Sequence, residues 1–251
     1  MIDFNKKYNL RVITNLNCNE NCYFCYQKNK NNVRLDINTL KCNIQKFNGY
    51  KFPRSAIYGG EATIREDLPD IIKICSENSE NISLTTNGTL LTESKLKQYR
   101  DAGLKEMGIS VPTIKNWNMM RTIPWDKFLN IILKAKEIIP NVRINIVENK
   151  FNMNKESSRL EFYDMIEFFV RQVGLGVLIC RNFTKKYEDL NLELIGAKKI
   201  DIIEYGCSKY KLDDSNIIIS YYEPVKTYKD NDYIITPLGF FTDWMKFVSV
   251  T

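Results

Sequence analysis

Residues 9–25 read NLRVITNLNCNENCYFC, a stretch that joins a strand-like segment to a group of cysteines. Its first half is typical of a buried β-strand, and its second half carries Cys18, Cys22 and Cys25 with the spacing C-x3-C-x2-C. Intervals this short bring three thiolates around one point, which suits a metal or an iron–sulfur cluster. A closed structural zinc site or a fully ligated cluster needs four ligands. The pattern therefore predicts a metal centre that leaves one position for another ligand.

The composition is that of an ordinary globular protein, with 251 residues, 44% hydrophobic and 26% charged. The sequence has no apolar run long enough to span a bilayer and no signal-peptide core, so no membrane partner is expected. We therefore expect a cytoplasmic location, in which the seven cysteines are thiols or metal ligands. The net charge of +6 is weak evidence for an anionic partner.

The chain contains no histidine. This excludes Ser-His-Asp and Cys-His nucleophiles and histidine-ligated zinc. Any chemistry must come from thiols, carboxylates, lysines, tyrosines or a bound cofactor.

Strand-like and helix-like segments alternate between about residues 9 and 182 in units of about 30 residues. Such alternation predicts an α/β fold with a parallel sheet and helices outside it. The units are too few for a closed eight-stranded barrel, so a partial (β/α)6 barrel or an open doubly wound sheet is expected. Residues 183–251 predict a small C-terminal β appendage, with a helix at 192–205 and strands at 216–222 and 232–237.

Polar residues follow the predicted strands. The cysteine loop follows the first strand, and Gly59, Gly60 and Glu61 follow the second. Because carboxyl ends of parallel strands meet at one edge, we expect one common site there. The later strand ends add Asn87, Ser110 and Asn145, which also fit the simpler role of closing strand ends.

The loop NLNCNENCYFCY, followed by GGEATIREDL, is similar to the radical S-adenosylmethionine (radical SAM) superfamily. The likeness is greatest to the branch that contains molybdenum cofactor biosynthesis protein A and the peptide-modifying maturases. It covers about residues 9–182 and implies a partial TIM-like barrel core over residues 1–182. The family usually has proline where this chain has Ala62.

The resemblance implies that Cys18, Cys22 and Cys25 ligate three irons of one [4Fe–4S] cluster. The fourth iron then takes the amino and carboxylate groups of S-adenosyl-L-methionine (SAM). One electron, supplied by an external donor such as flavodoxin or ferredoxin, cleaves the sulfonium and gives a 5′-deoxyadenosyl radical. That radical abstracts a hydrogen atom from the substrate.

The resemblance also gives roles to other residues. It places Phe24 against the adenine, while Gly59 and Gly60 let the backbone approach the methionine and Glu61 pairs with its ammonium group. Ser110 and Asn145 offer neutral hydrogen bonds suited to the ribose hydroxyls or to the methionine carboxylate, and Asn87 is a further candidate for cofactor binding. Arg181, at the end of the sixth strand, is suited to bind a carboxylate, or it forms an ordinary ion pair.

The substrate is less well defined by the sequence. Beyond residue 182 only Cys207 remains, so a single cluster is expected, and the C-terminal cysteine triad of the molybdenum cofactor protein is absent. A peptide or protein side chain is the favoured substrate. A nucleotide, a tRNA base or another small metabolite is the alternative. A different class, a non-catalytic iron–sulfur or zinc-binding module, fits less well because electron-transfer clusters take four cysteines.

Overall fold

The computed structural model describes residues 7–25, 27, 31–115, 117–180, 190–204, 207–222 and 232–242. The first six strands are β1 (Asn9–Ile13), β2 (Phe52–Tyr58), β3 (Ser79–Thr86), β4 (Glu106–Ser110), β5 (Asn141–Val147) and β6 (Gly176–Cys180). Five more follow: β7 (Ala197–Glu204), β8 (Cys207–Leu212), β9 (Ile218–Tyr222), β10 (Asp232–Thr236) and β11 (Gly239–Phe241).

The helices lie mainly between the first six strands. They are α1 (Ile37–Gln45), α2 (Leu68–Asn78), α3 (Glu93–Asp101), α4 (Trp117–Met120), α5 (Trp125–Ile138), α6 (Lys150–Met153) and α7 (Glu156–Glu167). A π-helical turn at Phe168–Val173 extends α7. The side chains of Asp36 and Thr92 cap α1 and α3 as N-cap residues do, by accepting hydrogen bonds from Thr39 N and Lys95 N. None of the helices among the described residues is long and apolar enough to cross a membrane.

All the strands belong to one sheet with the order β11-β10-β1-β2-β3-β4-β5-β6-β9-β8-β7. Strands β1 to β6 are parallel neighbours in chain order. This confirms the predicted α/β fold with an unclosed, partial barrel. Among the described strands, β11 and β7 form the two edges of the sheet.

The C-terminal strands extend the sheet on both sides. Strand β10 pairs parallel with β1, while β9 pairs parallel with β6 and continues through antiparallel β8 and β7. The predicted strands at 216–222 and 232–237 are confirmed as β9 and β10. The division into a core of residues 1–182 and a C-terminal part of residues 183–251 stays a prediction.

The helix predicted at 192–205 is wrong. A short 3-10 turn at Leu192–Ile195 leads into β7 instead. The antiparallel pairing of Ala197 with Leu212 and of Lys199 with Tyr210 supplies backbone hydrogen bonds across the sheet. Tertiary pairing of this kind overrides local helix preference.

The two faces of the sheet differ in polarity. On β5, Val142, Ile144 and Ile146 are buried beneath helices such as α5, which contributes Phe128. The residues that alternate with them point to the opposite side, which we call the inner face. Many of the inner-face residues are polar: Arg11, Arg54, Asn81, Ser83, Glu106, Ser110, Arg143, Asn145, Cys180 and Ser220.

Candidate active site

The three cysteines lie in the loop that follows β1. Cys18, Cys22 and Cys25 are all partly exposed, and none forms a disulfide. The amide of Cys25 donates to the carbonyl of Cys22 at 3.1 Å, which closes a tight turn between two of the thiols. The base of the loop is held by a backbone bond from Leu16 N to Val33 O at 3.0 Å. The loop is therefore anchored at the carboxyl end of the first strand, as predicted.

The glycines after β2 pack directly beneath this loop. Gly60 N donates to Asn15 O at 2.8 Å, and Glu61 N donates to Asn17 O at 2.9 Å. A Cβ atom on Gly60 would lie 2.2 Å from the carbonyl oxygen of Asn17, and one on Gly59 would lie 2.8 Å from Asn15 Oδ1. Position 60 therefore requires glycine so that the ends of two strands can meet. An approach of this backbone to methionine stays a prediction.

The carboxylate of Glu61 is buried, with only 2% of the residue exposed. Its Oε1 accepts from Thr63 N at 3.0 Å and from the hydroxyls of Thr63 and Thr86 at 2.6 Å each. Its Oε2 accepts from Asn87 N at 2.6 Å. Glu61 thus ties the end of β2 to the end of β3. Its pairing with an ammonium group of SAM stays a prediction.

Asn87 connects the end of β3 to the cysteine loop. Its amide nitrogen donates to Asn19 Oδ1 at 2.9 Å and lies 3.9 Å from the sulfur of Cys18. Its own side-chain oxygen accepts from Thr89 N at 3.0 Å and from the Thr89 hydroxyl at 2.8 Å. The amide is therefore oriented toward the thiols by contacts on both sides.

The loop between α4 and α5 supplies a contact that no sequence motif indicates. Arg121 Nη1 lies 3.1 Å from the sulfur of Cys22. Next to it, Thr122 donates from its amide at 3.1 Å and from its hydroxyl at 2.9 Å to Glu20 Oε1. No motif marks Arg121 in the sequence, because it reaches the cysteine loop only through long-range folding. Glu20 lies within the loop, between Cys18 and Cys22, but its bond to Thr122 is equally long-range.

Ser110 and Asn145 are brought together, as predicted, since they pair in register on β4 and β5. The carbonyl of Ser110 accepts from Arg121 Nη2 at 3.1 Å. Asn145 Oδ1 accepts from Arg143 Nε at 3.2 Å, and the Asn145 amide packs over Gly108, where a Cβ atom would come within 2.4 Å. Contacts of either side chain with a cofactor stay predictions.

Two aromatic residues of the cysteine loop pack against each other, and one of them, Tyr23, reaches the end of β5. Phe24 is half-buried and packs edge-on against Tyr23, with ring centroids 5.4 Å apart. The Tyr23 hydroxyl donates to Asn149 Oδ1 at 2.9 Å, just beyond β5. The contact of Phe24 with adenine stays a prediction, and Arg181 lies outside the described residues.

Cys180 ends β6 on the inner face, in register with Tyr222 of β9, which in turn pairs with Cys207 of β8. Burial, and then the neighbouring Cys207, raises the pKa of Cys180 to about 12. Cys180 is therefore a protonated thiol at neutral pH.

The donor set at the mouth of the barrel fits an iron–sulfur cluster. Within the described part of the chain, no three Cys, Asp or Glu side chains are gathered tightly enough to hold a single metal ion. An iron–sulfur cluster does not require the three thiolates to converge on one atom, because each cysteine binds a different iron. In addition, the guanidinium of Arg121 is buried beside Cys22 with its Nε unpaired, which suits an anionic neighbour.

A partial α/β barrel with three cysteines in the loop after its first strand, none of them in a disulfide, defines an enzyme with a site-differentiated metal centre. Comparison with protein families identifies the class of enzyme, because the family model described as Radical SAM superfamily matches residues 12–149. The chain belongs to the radical SAM superfamily, and it is an enzyme that uses a [4Fe–4S] cluster and SAM.

Several relatives by sequence are named GTP 3′,8-cyclase. A probable GTP 3′,8-cyclase of Archaeoglobus fulgidus is 33% identical over 162 residues, which cover 61% of this chain and 54% of the relative. The Aquifex aeolicus enzyme is 31% identical over 183 residues, covering 68% and 54%. The Campylobacter jejuni enzyme (strain RM1221) is 29% identical over 246 residues, covering 92% and 72%. The chain thus spans about half the length of the first two relatives.

Solved structures share the fold at low identity. Streptococcus suis SuiB bound to S-adenosylmethionine superposes with a TM-score of 0.68 at 15% identity, covering 95% of this chain and 60% of SuiB. Methylornithine synthase (PylB) gives a TM-score of 0.56 at 18% identity, covering 71% and 55%. These likenesses support the partial-barrel architecture.

Proposed function

We propose that this radical SAM enzyme abstracts a hydrogen atom from a polar, anion-bearing substrate of the nucleotide class, held on the inner face of the sheet. When bound, the cluster and SAM supply one chemical step, the one-electron cleavage that yields methionine and a 5′-deoxyadenosyl radical. The protein must hold both partners in place and keep water away from the radical.

The roles of individual residues follow from their positions. Cys18, Cys22 and Cys25 would hold the cluster at the mouth of the barrel. Glu61 and Asn87 would fix the shape of the mouth, since their hydrogen bonds join the second and third strand ends to the cysteine loop. Substrate would then lie below, against the polar residues that line the inner face.

The charge of the inner face carries the proposal about substrate. Three arginines, Arg11, Arg54 and Arg143, point to this face, where they meet two carboxylates. Asp232 pairs with Arg11, and Glu106 pairs with Arg54 at 2.6 Å and with Arg143 at 3.2 Å. The partial exposure of all three arginines on this face favours an anionic substrate. The relatives named GTP 3′,8-cyclase support a nucleotide as that anion.

A second candidate is the modification of a peptide or protein side chain. The observation that favours it is the open sheet, in which β11 and β7 are edges within the described part of the chain. An unpaired edge can take up an extended peptide as an added strand. The solved structure of SuiB with its precursor peptide SuiA adds an example of a peptide partner on a similar fold.

Anaerobic reconstitution followed by product analysis tests the first step. Protein loaded with iron and sulfide, then given dithionite and SAM, should release 5′-deoxyadenosine. Cys22→Ala should lose the cluster and this activity, because two thiolates cannot hold it. Cys42→Ala is the matched control, since Cys42 is exposed on α1 and should leave both intact. A fully active, iron-replete Cys22→Ala protein would overturn the assignment.

Isotope transfer tests the substrate. Deuterated GTP and other deuterated nucleotides should pass deuterium into 5′-deoxyadenosine, and a panel of deuterated peptides should not. Transfer from a peptide alone would support the second candidate and contradict the first.

A further inference from the structure

We propose that Arg121 is a positioning residue that raises the reduction potential of the cluster through its contact with the sulfur of Cys22. This inference rests on the proposed binding of the cluster by the three cysteines. It goes beyond that proposal because it assigns electron-transfer tuning to a residue outside the cysteine loop.

The position of the guanidinium group is fixed on several sides. Arg121 is only 6% exposed, and its backbone amide is bonded to Trp117 O at 2.9 Å. Nη1 donates to Met120 O at 3.0 Å and lies 3.1 Å from Cys22 Sγ, while Nη2 donates to Ser110 O at 3.1 Å. The ring of Trp117 lies 5.9 Å from the guanidinium carbon, within cation–π range. Such a side chain has little freedom to turn away from the thiol.

Within the part of the chain that the structure describes, the charge of Arg121 has no carboxylate partner. Among the described residues, none of its contacts is with an acidic group, and its Nε is buried without an acceptor. The nearby carboxylate oxygen of Glu20 accepts from Thr122 instead. A buried cation without a counterion is costly. This cost is removed when a bound ligand supplies the anion. The atom that Arg121 faces is the sulfur of Cys22, which would become anionic on binding iron.

A thiol is a weak acceptor, whereas a thiolate bound to iron is anionic and a stronger one. Reduction of the cluster by an external electron donor adds one negative charge beside Arg121. A fixed positive charge in a poorly solvated place favours the state with more negative charge. Hydrogen bonds to cluster sulfurs and local charge are established determinants of iron–sulfur potentials. Arg121 therefore favours the reduced cluster, the state that cleaves SAM.

Redox titration of the reconstituted protein, followed by electron paramagnetic resonance, tests this inference in the absence of SAM. Arg121→Met removes the charge and keeps a long apolar stem. We expect it to lower the equilibrium constant for reduction about tenfold, which is about 59 mV for one electron. Arg121→Lys keeps the charge and should retain most of the wild-type potential. Arg100→Met removes an exposed arginine of α3 and should leave the potential unchanged.

Each result of the redox titration has a different meaning for the role of Arg121. An unchanged potential in cluster-loaded Arg121→Met overturns the inference and leaves the proposed function intact. An unchanged potential with weaker SAM binding also overturns it and makes Arg121 a cofactor-binding residue. If Arg121→Met does not load, Arg121→Gln and Arg121→Lys decide, since only the first should lower the potential. Wild-type protein that binds no cluster overturns the proposed function together with this inference.

Discussion

Glu61 shows how one buried carboxylate can define the geometry of a site. A carboxylate accepts hydrogen bonds without donating any, so it can gather donors that converge from different elements. Here the donors come from the turn after β2 and from the end of β3, and one of them is the backbone amide of Asn87. Because the Asn87 side chain then reaches toward Cys18, the position of Glu61 is transmitted to the thiols.

We predict that Glu61→Ala lowers the free energy of unfolding by about 1–3 kcal/mol, since it leaves the donors of Thr63, Thr86 and Asn87 unpaired in a buried place. Chemical denaturation followed by circular dichroism measures this change. Glu66→Ala is the matched control, because Glu66 is exposed five residues further on and should have no such effect. Equal stabilities for the two variants would show that Glu61 contributes only to ligand binding.

Helices and strands with a strong local pattern are predictable from the sequence, and those that depend on distant pairing are not. Strands β1 to β6 were predictable because their apolar patterns are continuous and their helices carry clear caps, such as Thr92 before α3. Strand β7 was not, because its conformation depends on pairing with β8, which no local pattern reveals. The residues of the site differ in predictability for the same reason. The three closely spaced cysteines and Gly60 belong to short sequence motifs, whereas Arg121 reaches Cys22 across 99 positions of chain.

The ion-pair network across β2, β4 and β5 leads to a prediction about pH. Burial alone would raise the pKa of Glu106, but Arg54, the Asn81 amide and Arg143 outweigh it and hold this pKa below its usual value of 4.5. A lowered carboxylate pKa stabilises the folded state above the pKa of the unfolded chain, near 4.5. That contribution disappears as the pH falls through the lower folded pKa.

We therefore predict that Glu106→Gln destabilises the protein by about 1–3 kcal/mol at pH 7 and by progressively less below pH 4.5. Thermal unfolding across this pH range measures the difference as a shift of about 2–4 °C per kcal/mol. Glu80→Gln is the control, since Glu80 is exposed on β3. A Glu106→Gln difference that stays constant from pH 7 to pH 3 would contradict the proposed role of its charge.

At the scale of the whole molecule, the continuity of the sheet connects the C-terminal strands to the active site. Strand β10 pairs with β1 on the side opposite β2, so it covers the edge of the strand that leads into the cysteine loop. Tyr233 of β10 also stacks against Phe240 and packs on Phe47, which follows α1. These contacts favour one cooperative unit over a barrel with a separately folded appendage.

Replacing Ile235 by alanine tests whether the sheet unfolds as one cooperative unit. Ile235 is fully buried in β10 opposite Val12, and removal of its side chain should cost about 2–5 kcal/mol. In a Trp244→Phe background, tryptophan fluorescence reports only on Trp117 and Trp125, which lie in α4 and α5. If the sheet unfolds as one unit, the fluorescence and far-ultraviolet circular dichroism midpoints should fall together.

The control for this experiment is Leu238→Ala, in the turn between β10 and β11, where the leucine is 41% exposed and both midpoints should stay near wild type. An appendage that folds by itself would give a different result with Ile235→Ala. Circular dichroism would then show an early partial transition while the tryptophan midpoint stayed constant. Because β10 borders β1, we expect both midpoints to fall together instead. We also expect a lower iron content after reconstitution, since the strand that leads into the cysteine loop would be destabilised as well.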